Sequence, residues 1–166
     1  MLKAKRKPAM RGKLPAASRR RSLSKRKTGT AKSASRRRSG PPQRFIASHY
    51  REDDFKSGLR AYAAYRDLGI SDATGGMVQA HVIRFAPPFR AEEVSKRHYH
   101  EVDFQMIYVL KGWIKTELDG AGEVMMREGS AWIQPPRIKH AVTGYSDDCE
   151  VLEIILPADF KTVELE

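Results

Sequence analysis

Two stretches of the sequence decide the fold: HYHEVDFQ at residues 98–105 and GSAWIQPPRIKH at residues 129–140. His98 and His100 stand two positions apart on a strand-like segment, so both imidazole rings project from the same face. His140 follows after further turn signals. Imidazole pairs on one β face are a frequent way to hold a first-row metal. The pattern predicts a metal site built on a sheet.

The sequence around these stretches predicts an all-β fold. From about residue 77 onward, short alternating or β-branched runs are separated by Gly, Pro and Asp turn signals, which is typical of a sandwich or barrel. The runs are Met77–Phe85, Phe104–Leu110, Trp113–Leu118, Glu123–Met126, Ala131–Gln134, Lys139–Thr143 and Glu150–Leu156. Residues 51–70 are ambiguous, because Asp53 or Asp54 could cap a short helix and residues 61–70 could equally form an edge strand.

The spacing of these residues resembles the two motifs of the cupin superfamily. The first motif is His-x-His, three or four residues, Glu, six residues and Gly, and the second is Gly, five residues, Pro-x-Gly, two residues, His, three residues and Asn. The positions that match the motifs are His98, His100, Gly112, Gly129, Pro135 and His140. The resemblance implies a small single-domain cupin of the type-2 kind, a jelly-roll-like antiparallel β-barrel over residues 44–166.

Three positions depart from the cupin motifs. Gln105 replaces the usual Glu, Arg137 replaces a Gly and Gly144 replaces the final Asn. The resemblance nevertheless implies metal ligation by His98, His100, Gln105 and His140. A set of three histidines and one glutamine also occurs in cupins similar to the pectin-degradation type, which act on ring-opened sugar acids.

The implied ligand set favours Lewis-acid chemistry. Three neutral imidazoles and a neutral amide leave a divalent ion its full charge, which suits polarising a carbonyl, stabilising an enediolate or activating water. We therefore expect an isomerase, lyase or hydration type of enzyme acting on a small polar or anionic substrate. A metal-dependent dioxygenase is an open alternative, and zinc, nickel, iron and manganese are all open as the metal.

Other side chains are candidates for acid–base work and for binding an anion. Glu153 interrupts the apolar run 151–156, so it lies either on the outward face or at the cavity as a proton shuttle. Arg137 and Lys139 flank His140 and either clamp an anionic substrate or lie on a solvated turn. Asp103 becomes a ligand only if a bulge turns it inward.

The remaining histidines and large aromatic residues are expected to be structural. His49 and His81 have no partner at a useful spacing in the sequence. Strand alternation directs the larger aromatic side chains away from the ligand face, into core or dimer packing. These residues are Tyr99, Tyr108, Trp113 and Trp132.

The charge is divided unevenly between two parts of the chain. Of the 31 lysines and arginines, 16 lie in residues 1–43, where there is no acid, so residues 44–166 hold 15 bases and all 20 acids, a net charge of −5. Residues 1–43 contain too little apolar surface to offset the entropy of ordering, which predicts a disordered tail. Such a tail either is a plain solvated extension or contacts nucleic acid without reading its sequence.

Composition excludes several classes of protein. No run approaches the length of a membrane-spanning helix, and a single cysteine, Cys149, excludes a disulfide framework. We expect a cytoplasmic protein and, because small barrels leave exposed edges, a homodimer. Two non-enzymatic alternatives remain open: a ligand-binding or sensing module, and a structural barrel with a vestigial site.

Overall fold

The computed structural model describes Gly40, residues 42–58 and residues 60–166. The predicted disordered basic tail, residues 1–43, lies outside the described residues except for Gly40, Pro42 and Gln43. The proposed boundary at residue 44 therefore stays a prediction. None of the helices in the described part of the chain has the length and apolar character needed to span a bilayer.

The described chain consists mainly of short strands. The strands are β1 (Lys56–Ser57), β2 (Ala63–Asp67), β3 (Gln79–Phe85), β4 (His98–Glu101), β5 (Phe104–Lys111), β6 (Trp113–Leu118), β7 (Gly122–Arg127), β8 (Ala131–Ile133), β9 (His140–Tyr145), β10 (Glu150–Leu156) and β11 (Lys161–Glu164). The helices are α1 (Ile70–Thr74), α2 (Ala91–Val94) and a 3-10 turn at Glu52–Asp54. The prediction of an all-β fold is confirmed.

The strands form two antiparallel sheets. The first has six strands in the order β1-β2-β3-β10-β5-β8, and the second has five in the order β11-β4-β9-β6-β7. The ambiguous stretch 51–70 contains the 3-10 turn and two strands. Of these, β2 lies between β1 and β3 rather than at the edge of its sheet. No side chain caps the 3-10 turn, whose first flanking residue is Arg51.

Strand alternation builds the core between the sheets. Along β5 the buried positions are Gln105, Ile107 and Val109, and along β6 they are Ile114, Thr116 and Leu118. Polar and apolar residues therefore occupy the same inward faces, because period-two alternation places both on one side of a strand. Ile107, Ile114 and Thr116 line a space between the sheets, whereas Val109 and Leu118 belong to the packed core.

The turn between β5 and β6 explains the glycine of the first motif. Gly112 has a φ of +69°, and a Cβ built on it would lie 2.1 Å from the Ser146 hydroxyl oxygen. That hydroxyl accepts a hydrogen bond from the Trp113 backbone N–H at 2.9 Å. Glycine is required here both for the left-handed backbone and for the close approach.

Candidate metal centre and its cavity

A cavity of about 500 Å³ lies between the two sheets. One wall is a row of residues that are cross-strand neighbours in the six-stranded sheet, all of which line the cavity: Asp67, His81, Glu153, Ile107 and Trp132. The five-stranded sheet contributes His98, His100, Thr116, His140 and Val142 to the cavity lining. A space of this size suits a small-molecule ligand.

Three of these side chains, His98, His100 and His140, form a cluster that we call the histidine triad. His98 of β4 is paired directly with His140 of β9, and their ring centroids are 4.4 Å apart. The His100 ring lies 5.0 Å from that of His98 and 5.2 Å from that of His140. One nitrogen from each ring lies within 4.8 Å of the other two, which is close enough for all three to hold one metal ion.

Hydrogen bonds fix which nitrogen the rings of His98 and His140 offer, and they orient the ring of His100. Nδ1 of His98 lies 2.8 Å from the Lys96 carbonyl oxygen, and Nδ1 of His140 lies 2.9 Å from the Ile138 carbonyl oxygen. A carbonyl oxygen only accepts, so both Nδ1 atoms carry a proton and both Nε2 atoms keep a free lone pair. Nδ1 of His100 lies 2.9 Å from the Thr162 hydroxyl. Such partners orient metal-binding histidines in proteins.

Burial keeps the histidine triad neutral. Desolvation lowers the pKa of His98 and of His100 to about 4 and also lowers the pKa of His140. The positive charge of Arg60 adds to each of these decreases, whereas the negative charge of Glu153 opposes them. Neutral imidazoles with free Nε2 atoms are the donors that divalent first-row metals bind, so the residues present fit such an ion.

The lowered pKa values predict that the metal-free protein loses stability in acid. Between the ordinary pKa of 6.5 and the folded value of about 4, the unfolded chain binds protons that the folded chain does not. The thermal midpoint is therefore constant above pH 6.5 and falls as the pH is lowered further. Circular dichroism of metal-free protein at pH 7.5 and pH 5 measures this difference, since carboxyl groups are still ionised at pH 5.

Two variants test whether the histidine triad causes this loss of stability in acid. Replacing His98 and His100 together by asparagine removes most of the decrease, because asparagine does not titrate. His49→Gln, at an exposed histidine, leaves the decrease unchanged. Equal midpoints for the unsubstituted protein at the two pH values would contradict the prediction.

Glu153 lies at the cavity rather than on the outer face of the barrel. Its carboxylate accepts hydrogen bonds from His81 Nε2 and from Gln105 Nε2, both at 2.7 Å. Burial alone would raise the pKa of Glu153, but these two hydrogen bonds and the neighbouring charge of His81 hold it below the usual value. The result is an ionised carboxylate in a cavity that also contains the histidine triad.

Gln105 is buried, with 1% of its surface exposed. Its amide nitrogen donates a hydrogen bond to Glu153, so the carbonyl oxygen Oε1 is the atom that could bind a metal. The residue thus has a defined orientation at the edge of the site. Ligation through Oε1 stays a prediction.

Comparison with known protein families shows which family this part of the chain matches. Residues 89–155, from the segment before α2 to β10, match the profile of the Cupin domain family, Cupin_2. This part of the chain is a cupin domain. The match contains all three residues of the histidine triad together with Gln105 and Glu153. No curated protein matches the chain at the sequence level.

Solved structures share the cupin fold at low sequence identity. KdgF from Halomonas sp. is 21% identical with a TM-score of 0.52, and the match covers 66% of this chain and 94% of that protein. The polyketide cyclase RemF from Streptomyces resistomycificus is 19% identical with a TM-score of 0.56, covering 73% and 87%. Salicylate 1,2-dioxygenase from Pseudaminobacter salicylatoxidans is 8% identical with a TM-score of 0.53, covering 66% and 30%. These similarities establish the fold of the chain.

The two basic residues that flank His140 do not line the cupin cavity. The Arg137 side chain is 68% exposed and its guanidinium pairs with Glu101 at 2.7 Å, and Lys139 is also exposed. Arg137 does serve the site through its backbone: with a φ of +62° it turns its N–H toward the His100 carbonyl oxygen, 3.1 Å away. The basic side chains that do line the cavity are Lys56 and Arg60.

Two residues expected to be structural belong to the cavity wall. His81 meets Glu153 because the register of β3 and β10 pairs them directly, although they are 72 positions apart in sequence. Trp132 does not point away from the ligand face, because it lies opposite Ile107 of β5 and directly paired residues share a face. The outward positions expected for Tyr99, Tyr108 and Trp113 agree with their absence from the described cavity lining.

Proposed function

We propose that this cupin is a metal-dependent enzyme of the isomerase, lyase or hydration type acting on a small polar or anionic substrate. The observation that carries the proposal is the arrangement of three neutral, oriented imidazoles and one ionised carboxylate around a single cavity. When bound, a divalent transition metal supplies Lewis-acid polarisation of a substrate oxygen. The neutral donor set leaves zinc, nickel, iron and manganese as candidates.

We assign a separate role to each residue of the site. His98, His100 and His140 hold the metal, and we propose Gln105 Oε1 as the fourth ligand. Glu153 takes a proton from the substrate and returns it, as a general base and then a general acid. His81 and Gln105 hold the two carboxylate oxygens, so the position of Glu153 is set before a substrate enters.

Loading the protein with metal under controlled oxygen tests this function. Metal-free protein is reconstituted separately with Zn²⁺, Ni²⁺, Fe²⁺ and Mn²⁺, and a panel of 2-oxo acids and sugar acids is followed by NMR. We expect metal-dependent conversion or solvent hydrogen exchange that does not need oxygen. Conversion that consumes oxygen would establish the dioxygenase alternative. Failure to hold any of these metals, with ligands still binding, would establish a non-catalytic binding or sensing module.

Three further predictions belong to this proposal. We propose a homodimer, supported by exposed apolar side chains on two separate segments, Phe45 at 94% and Ile133 at 58% exposed. We also propose a cytoplasmic protein, in keeping with the buried free thiol of Cys149. Contact with nucleic acid through residues 1–43 rests on the 16 basic residues of that segment alone.

A further inference from the structure

Arg60 is an unpaired cation in the wall of the cupin cavity. It donates one hydrogen bond from Nη1 to the Tyr62 hydroxyl at 2.6 Å, and no carboxylate of the described residues lies within ion-pair distance of it. Arg84, Arg97 and Arg137, by contrast, each pair with a carboxylate. The guanidinium of Arg60 therefore has donors available for a group that enters the cavity.

None of the acidic side chains that line the described cavity lies within ion-pair distance of Arg60. Asp54, Asp67 and Glu153 also line the space. Glu153 is held by His81 and Gln105, and the Asp67 carboxylate accepts the Gly69 backbone N–H at 2.9 Å. A guanidinium beside a cavity and without a carboxylate partner is suited to bind a planar anion through two parallel hydrogen bonds.

Part of the remaining lining is hydrocarbon that cannot hydrogen-bond to a ligand, and it includes Ile83, Phe85, Ile107, Ile114, Val142 and Val151. The rest includes polar side chains such as Tyr65, Thr116 and Gln134. A polyhydroxylated acid placed here would bury some of its hydroxyl groups against these hydrocarbon side chains, which costs roughly 1–3 kcal/mol for each group left without a partner. An apolar ring or chain would instead gain free energy from the same contacts.

We propose that the cavity binds a monocarboxylic acid with an apolar, ring-bearing body, its carboxylate on Arg60 and its adjacent oxygen toward the histidine triad. This inference rests on the proposed function for the role given to the histidine triad. It narrows the substrate class from small polar or anionic molecules in general to amphipathic acids, and it disfavours sugar acids.

Calorimetric titration of metal-free protein tests the inference without the metal. The probe is phenylpyruvate, compared with gluconate, which is a polyhydroxylated monocarboxylate, and with phenylacetone, which keeps the ring and ketone but lacks the carboxylate. We expect phenylpyruvate to bind at least about tenfold more tightly than either. Arg60→Gln should weaken phenylpyruvate binding by about tenfold or more. Arg127→Gln, at an exposed arginine of β7 outside the described cavity lining, should leave its affinity unchanged.

Each other outcome overturns the inference. Equal or tighter binding of gluconate would contradict the apolar body of the ligand. Equal binding of phenylacetone would contradict the carboxylate contact, and this comparison needs no variant. Equal losses in Arg60→Gln and Arg127→Gln, or no binding of phenylpyruvate at millimolar concentration, would contradict the role of Arg60. If the protein binds phenylpyruvate in this pattern but never holds a metal, the proposed enzymatic function fails while this inference stands.

Discussion

Replacing His98 and His140 together by alanine is expected to abolish metal binding. The two residues face each other across β4 and β9, and both hold a proton on Nδ1 so that Nε2 is free. Their removal leaves one imidazole of the histidine triad, which cannot retain a divalent ion against dialysis. Mass-spectrometric metal analysis of tag-free, reconstituted protein should give about one ion per chain, falling below about a tenth of an ion in the variant.

The control for this measurement is the exposed His49. His49→Gln should retain the full metal content, and near-ultraviolet circular dichroism should establish that the double variant is still folded. A folded double variant that keeps a stoichiometric metal would show that the ion binds elsewhere, and the proposed metal centre would have to be abandoned.

The second large effect is expected at Glu153. Glu153→Gln should lower turnover by about a hundredfold or more, on whichever panel substrate the metal-loaded protein converts fastest. The substitution preserves the shape of the side chain, and the new amide oxygen accepts the hydrogen bond from Gln105. The negative charge and the ability to take up and release a proton are lost. Metal content should stay at the level of the unsubstituted protein.

Glu150 provides a matched control on the same strand. It pairs with Arg84 at 2.7 Å and is not among the described residues of the cavity lining, so Glu150→Gln should keep full turnover. Full turnover in Glu153→Gln would assign this carboxylate a purely structural role. Loss of metal together with turnover would instead mean that Glu153 acts by holding Gln105 as a ligand.

Local patterns predicted most of the strands between residues 77 and 156, but not β11 (Lys161–Glu164), and they placed His98 and His100 on one face. His98 and His100 share a face because they are two residues apart, and the run Glu150–Leu156 is a strand with those same ends. Period-two alternation acts within one strand, so it needs no knowledge of the rest of the fold. His140 could be added because its distance from the first pair fits the cupin spacing.

The rest of the site depends on register and on loops, which local patterns do not determine. His81 meets Glu153 only because β3 and β10 pair in one particular register, and a shift of one residue would separate them. Arg60 lies in the connection between β1 and β2, where no periodicity applies. The sequence leaves open whether Arg137 clamps a substrate or lies on a solvated turn, and only the folded loop shows that its guanidinium pairs with Glu101.

The backbone carbonyls that hold His98 and His140 have a consequence for how the protein is assembled in the cell. In each case the acceptor belongs to the residue two positions earlier, so ordinary strand folding positions the ring without help from an ion. The entropy cost of arranging these two imidazoles is thus part of folding. At neutral pH their Nε2 atoms carry no proton that an ion would have to displace. We therefore expect folding and metal binding to be separate events, in which the new chain reaches its native structure first and then binds whichever divalent ion its surroundings supply.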